Sequence, residues 1–252
     1  MAANGLRPLS SIRAQTPEKL VTLLLLFILL TTAVAGVTGV ITGPDWGALW
    51  KGLIFGLLVG WGLAVLRQPA WMSLLINGSL SICYALLYAG GLQQKIAEIL
   101  NKLSFIVSRY VTSSTVLGTD AAALNELLVE SLGTSWIILE RVQTWVLALL
   151  ENKPGFDPVA AAFVWIALVW LISAWAGWAA VAYRNALIAV LPVILVSIST
   201  LAYSRIESFS VFMMLGLTLL LVATVQHLRR EKDWDEVNTA YPPRKGRQIG
   251  IN

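Results

Sequence analysis

GLIFGLLVGWG, from Gly52 to Gly62, carries no charge and sets Gly52, Gly56 and Gly60 four residues apart. Four residues is slightly more than one α-helical turn, so the three glycines share a helix face. Glycine disfavours a helix in water. Among Leu, Ile, Phe and Val it reads instead as a double G-x-x-x-G, a face that lets another backbone approach closely inside a membrane. Packing against a helix of the same chain is the first expectation, and homodimerisation the second.

Working outward, the apolar run extends over Ala48–Leu66, close to the roughly 20 residues that cross about 30 Å of hydrocarbon. Five more such runs are present: Leu20–Thr42, Pro69–Leu92, Pro158–Tyr183, Asn185–Ser204 and Ser208–Leu228. The composition agrees. The chain is 57% hydrophobic and 13% charged, against about 25% charged in soluble domains. Backbone polar groups in lipid must be paired within their own segment, so the runs are expected to be helices. The alternation of a barrel strand is absent. The expected fold is therefore all-α and integral to the membrane, with six spans and a long extracytoplasmic helical loop between the third and fourth. Its divisions are 1–19, 20–92 (spans 1–3), 93–157 (the loop), 158–228 (spans 4–6) and 229–252.

Span 1 opens with TPEKL, where Thr16 reads as an N-cap and Pro17 as the first helical residue. The later Ala33-Val34-Ala35 looks like a signal-peptide cleavage site. The apolar run continues beyond it to Thr42, too long for a signal segment.

Orientation follows from the basic residues. With both termini cytoplasmic, Arg7, Arg13, Lys19, Arg67, Arg184, Arg229, Arg230, Lys232, Arg244, Lys245 and Arg247 fall inside, 11 of the 18 Lys and Arg. The opposite side keeps Lys51, Arg205 and the 93–157 loop, with seven acids and five bases. The net charge of +4 is thus a topology signal. The bases form no stripe interleaved with aromatics, and no nucleic-acid partner is expected. The expected partner is the lipid bilayer.

The loop reads as two amphipathic helices around a break at TSSTVLGT. The first has Ile96, Ile99, Leu100, Leu103, Val107 and Tyr110 on one face, opposite Lys95, Glu98, Lys102 and Arg109. The second is expected to start at an Asp120 N-cap and run toward Asn152. Leu124, Leu127, Leu128, Leu132, Trp136, Leu139 and Val146 form its apolar stripe, and Glu126, Glu130 and Glu140 its polar side. Ser135–Leu150 is apolar enough to suggest a seventh span, but Glu140 and Arg141 sit in its middle. A length of about 65 residues exceeds a mere connection; the sequence leaves open whether its helices lie on the outer membrane face, pack on each other or pack on an external domain, and the loop reads as a docking surface.

Inside the six spans no Asp, Glu, Lys, Arg or His is central, which argues against an ion-coupled transporter working alone. Asn77 is the most polar mid-span residue and is expected to make an interhelical hydrogen bond. Trp165, Trp170, Trp175 and Trp178 enrich span 4. Trp178 suits the interface, while Trp170 and Trp175 pack between helices. Pro192 should bend span 5 unless a neighbour repairs the lost hydrogen bond. With one cysteine, Cys83, and one histidine, His227, no Cys/His metal site can be assembled. No phosphate loop or H-E-x-x-H is present. Neither catalysis nor a cofactor is expected of this chain.

Three stretches carry a family resemblance: PEKLVTLLLLFILLTTAVAGV with PDWGALWKGLIFGLLVGWGLA, then WAAVAYRNALIAVLPVIL, then HLRREKDWDEVNTAY with Arg229, Arg230, Trp234 and Tyr241. Together they resemble the N-terminal membrane region of bacterial membrane-anchored transglutaminase-like proteins. The resemblance implies a bacterial cytoplasmic-membrane module that anchors an extracytoplasmic papain-like domain with a Cys-His-Asp triad. No residue of that triad maps onto this sequence. The module then reads as a scaffold, and residues 229–252, in which Pro242-Pro243 bar helix, as a charged cytoplasmic connector cut just before a further membrane segment. The alternatives are a small transporter or channel subunit and an assembly partner in a larger membrane complex.

Overall fold

The computed structural model describes residues 10–38, 45–113, 118–153, 155–183, 185–204 and 209–236. Among the described residues there are eight helices and no strand: α1 Ser10–Thr38, α2 Trp46–Val65, α3 Ala70–Ala89, α4 Gln93–Ser113, α5 Gly118–Leu150, α6 Pro158–Ala182, α7 Ala186–Ser204 and α8 Phe209–Glu236.

Four of these are long and apolar enough to cross a membrane: Trp46–Val65, Ala70–Ala89, Ala122–Leu150 and Pro158–Ala182. Val21–Gly36, Ala186–Ser199 and Phe212–His227 are shorter apolar segments, lying within α1, α7 and α8. The set thus differs from the six expected spans in two ways: α5 is long and apolar enough although the sequence reading places it in the loop, and the described apolar segments of α1, α7 and α8 are shorter than a full span. Glu140 and Arg141 interrupt its apolar run, yet the helix continues through them, since both are good helix formers, and Arg141 has a carboxylate partner in Asp157.

α6 is the hub, packing against α2, α3, α7, α5 and α1, while α1 also packs along α8. Leu26, Leu29, Leu53, Leu57, Ile166 and Leu221 are fully buried where these helices meet. The contacts give the helix directions. Gly56 faces Trp170, Gly60 faces Ala174, and Gly177 faces Leu57 and Trp61, so α2 and α6 run parallel. α3 returns antiparallel to both. Its Ser81 donates to the Ala167 carbonyl at 3.0 Å, and its later Tyr84 donates to the Ala48 carbonyl at 2.7 Å.

The start of α2 and α6 is written in their first residues. Asp45 caps α2 by accepting from the Gly47 amide at 3.2 Å. Asp157 caps α6 by accepting from the Val159 and Ala160 amides at 2.9 and 3.1 Å, with Pro158 in the first turn. A carboxylate at each positive helix end is favourable, and the parallel packing brings both caps to one end of the bundle.

Three boundaries differ from expectation. α1 begins at Ser10, so Thr16 and Pro17 lie inside the helix rather than at its start. α5 begins at Gly118, which leaves Asp120 within the helix instead of capping it. α8 runs to Glu236, because the charged residues after Leu228 are helix formers. Arg229 and Arg230 therefore sit before the last turn rather than at the helix end. Arg7, Arg184, Arg205, Tyr241, Arg244, Lys245 and Arg247 lie outside the described residues.

Candidate functional site

The α2–α6 seam is the tightest contact in the bundle. A Cβ on Gly56 would come 2.6 Å from the Trp170 carbonyl oxygen, and one on Gly60 would overlap the Ala174 carbonyl. From the other side, a Cβ on Gly177 would lie 2.5 Å from the Leu57 carbonyl. Backbone meets backbone, so no side chain can yield. Gly52 is different. Its neighbour is the Tyr84 ring of α3 at 3.0 Å, so the glycine row turns from one partner helix to another as α2 proceeds. Gly62, two residues past the last glycine of the row and off its face, faces open space. Gly177 was not singled out in the sequence, although Ser173 and Gly177 stand four apart and both are buried.

α3 meets α6 through Ser73, Asn77, Ser81 and Ala85, a small and polar row at i, i+4 spacing. Asn77 departs from its expected role. It is 5% exposed, but its amide donates to the Ser73 carbonyl of its own helix at 2.9 Å, and its Oδ1 has no partner. An amide that reaches its own preceding turn competes successfully with a partner helix. The interhelical bond comes from Ser81 instead.

The tryptophans of α6 divide. Trp170 is buried and stacks on Tyr84 at 4.9 Å between ring centroids. Trp178, expected at a wet interface, is buried too, with its ring 5.7 Å from Trp175 and 5.3 Å from Tyr183, and its indole nitrogen is without a hydrogen-bond partner. Trp175 donates to the Ile188 carbonyl of α7 at 3.0 Å. That carbonyl is the acceptor left over by Pro192, which has no N–H to offer four residues on.

Beyond the bundle, α4 and α5 pair as a helical arm. Lys95 bridges Glu130 at 2.9 Å and Thr134 at 3.3 Å. The arm is tied to the bundle twice. Ile138 is buried against Gly90 at the end of α3. Arg141 grips Asp157 with two hydrogen bonds, of 2.8 and 2.9 Å. The Arg141 guanidinium, helped by the two capping amides, holds the Asp157 carboxyl below its ordinary range against a smaller opposing effect of burial. Trp145 adds a hydrogen bond to the Gly155 carbonyl at 3.1 Å.

A cavity of about 40 Å³ lies between α1, α2, α6 and α7, lined by Leu30, Val34, Leu53, Trp165, Ile172 and Val193 among others. Among the described residues no cluster of three His, Cys, Asp or Glu could hold a metal. Cys83 is exposed on α3, and His227 lies far along α8. Arg229, Arg230 and Trp234 lie in the last turns of α8, with side chains outside the described set.

These features define an all-helical protein whose apolar helices suit a membrane, with a glycine seam at its centre and a polar-tethered helical arm at one end. No protein-family profile, curated protein or solved structure matches the chain.

Proposed function

We propose that this chain is a non-catalytic membrane scaffold: a six-span bundle that holds the α4–α5 arm at the extracytoplasmic face as a platform for an extramembrane domain. The observation that carries the reading is the double tether of the arm. Ile138 on Gly90 and Arg141 on Asp157 join α5, and α4 through its pairing with α5, to the bundle.

Helix direction supports the topology. Because α2 and α6 run parallel and α3 returns between them, the chain from α3 to α6 makes an even number of crossings. α4 carries Lys95, Glu98, Lys102 and Arg109 and is not apolar enough to cross. α5 then crosses neither, despite its length, and both arm helices stay on one side. The caps Asp45 and Asp157 share that end, and the distribution of basic residues in the sequence assigns the termini to the other in this reading.

The sequence resemblance is what names the domain to be held as papain-like and the membrane as the bacterial cytoplasmic one. The polar atoms along α3 support packing rather than passage, since Ser81 and the Asn77 amide are both engaged with helix carbonyls. Replacing residues 97–150 by a Gly/Ser linker in the parent cell tests the function. The bundle should still insert, while a tagged bundle loses capture of the extracytoplasmic papain-like domain supplied as a separate chain. Undiminished capture would refute the scaffold role.

A further inference from the structure

The arm keeps a large apolar surface open along both of its helices. At 3.6 residues per turn, Leu128, Leu132, Trp136, Leu139 and Val146 fall on one strip of α5, and all five are exposed, Leu132 at 69% and Trp136 at 71%. The strip turned toward α4 and the bundle holds buried Ile138 and half-buried Leu127 and Val142, beside Ser131, Thr134 and Ser135, whose hydroxyls donate to carbonyls of their own helix. On α4, Leu100, Leu103 and Val107 share an exposed face, while Ile96, Ile99 and Ile106 are half-buried and Lys95 is turned inward to Glu130. The arm thus has an apolar interior of its own, and its outer leucines and tryptophan form a second apolar surface that a body in water rarely leaves open. Large apolar side chains along the outer faces of amphipathic helices are the order of a surface that meets lipid.

The tethers fix the level at which this happens. Arg141 meets the N-cap of α6, and Ile138 meets Gly90 just past the end of α3. The middle of α5 therefore sits where the bundle's apolar helices end, at the end of an α3 that exposes apolar side chains such as Leu80 and Ile82. A tryptophan at that level matches the preference of its ring for the headgroup zone. From these observations we infer that the α4–α5 arm binds the lipid surface, with the Leu128–Leu132–Trp136 strip of α5 and the Leu100–Leu103–Val107 face of α4 seated at the headgroup–acyl boundary of the outer leaflet. The inference rests on the membrane-spanning reading of the bundle. It leaves the Glu126 and Thr144 side of α5, a different strip, facing water for the scaffold's partner.

Nitroxide accessibility separates the alternatives. Single cysteines are placed by Leu132→Cys, Trp136→Cys, Glu126→Cys, Thr144→Cys and Leu80→Cys in a Cys83→Ala background. Each is spin-labelled and reconstituted in phosphatidylethanolamine–phosphatidylglycerol vesicles. Collisions with oxygen report lipid, and collisions with a water-soluble nickel chelate report solvent. The expected result is oxygen-dominated collision at 132, 136 and 80, and nickel-dominated collision at 126 and 144. If 80 is in lipid but 132 and 136 collide with nickel as 126 does, the arm stands in water and the inference falls while the spanning bundle survives. Protection of 132 and 136 from both reagents means a protein cover, such as a second copy, and also overturns it. Nickel-dominated collision at 80 overturns both readings.

Discussion

Trp175 donates its indole N–H to the carbonyl of Ile188, 3.0 Å away on the next helix. Pro192 removed that carbonyl's own partner four residues on. In a bilayer no water stands ready to replace it. The indole thus completes a helix other than its own and joins α6 to α7.

A double-mutant cycle measures this repair. Trp175→Phe keeps most of the ring but strands the carbonyl, and should cost about 1–3 kcal/mol. Pro192→Ala returns a backbone N–H, so Trp175→Phe should cost clearly less in that background. Reversible unfolding in mixed micelles reads both. Equal costs in the two backgrounds would show that Trp175 acts by packing alone.

Glycine-to-alanine changes along α2 should be graded by what each methyl meets. Gly60→Ala and Gly56→Ala push on the α6 backbone and should destabilise by about 1–3 kcal/mol, the range of overpacking. Gly52→Ala meets the Tyr84 ring at 3.0 Å, which can tilt, and should cost less. Gly62→Ala meets nothing and should be neutral or stabilising by about 0.5–1 kcal/mol from helix propensity. A flat series would remove the seam from the centre of the fold.

The α3 row yields an opposite pair of outcomes. Asn77→Leu discards an Oδ1 that has no partner at similar volume, and should be neutral or stabilising. Ser81→Ala loses the bond to Ala167 and should cost about 0.6 kcal/mol, the average for such bonds in a membrane. A large loss with Asn77→Leu would reveal an acceptor role for the carboxamide.

The arm's tether should respond to acid. The Asp157 carboxyl is held below its ordinary value of 3.8, chiefly by Arg141. A depressed folded value means the ionised, paired form contributes stability above 3.8 and loses it as pH falls through the lower folded value. A spin label at Thr144 should therefore keep its restricted motion down through ordinary carboxylate titration and loosen only in stronger acid. Arg141→Gln should leave the label mobile at neutral pH. If that variant and the parent behave alike, Ile138 alone holds the arm.

What could be read from the residues, and what could not, divides by distance along the chain. The glycine row is local, a matter of spacing four, so the close face of α2 is legible in Gly52-x-x-x-Gly56-x-x-x-Gly60. Its partners are not, because Trp170, Ala174 and Gly177 lie more than a hundred residues on. Pro192 announces a missing hydrogen bond, but the donor that replaces it depends on how α6 turns against α7. α5 misleads for a related reason. Its apolar strip has the spacing of a buried face, and only the tertiary contacts show that strip left exposed and the strip of Ser131, Thr134 and Ile138 turned inward. Arg141 reads in the sequence as a charge that argues against a span, and its pairing with Asp157, sixteen residues on, is visible only in the fold.

The account stands on the arm and the C-terminal end of α8 lying on opposite sides of the bilayer. Glu126→Cys and Arg230→Cys, each in the Cys83→Ala background, can be exposed to a membrane-impermeant maleimide on intact spheroplasts. The prediction is labelling at 126 without permeabilisation and at 230 only after it. Labelling of 230 on intact cells, or of 126 and 230 together only after permeabilisation, would contradict the topology and the scaffold built on it.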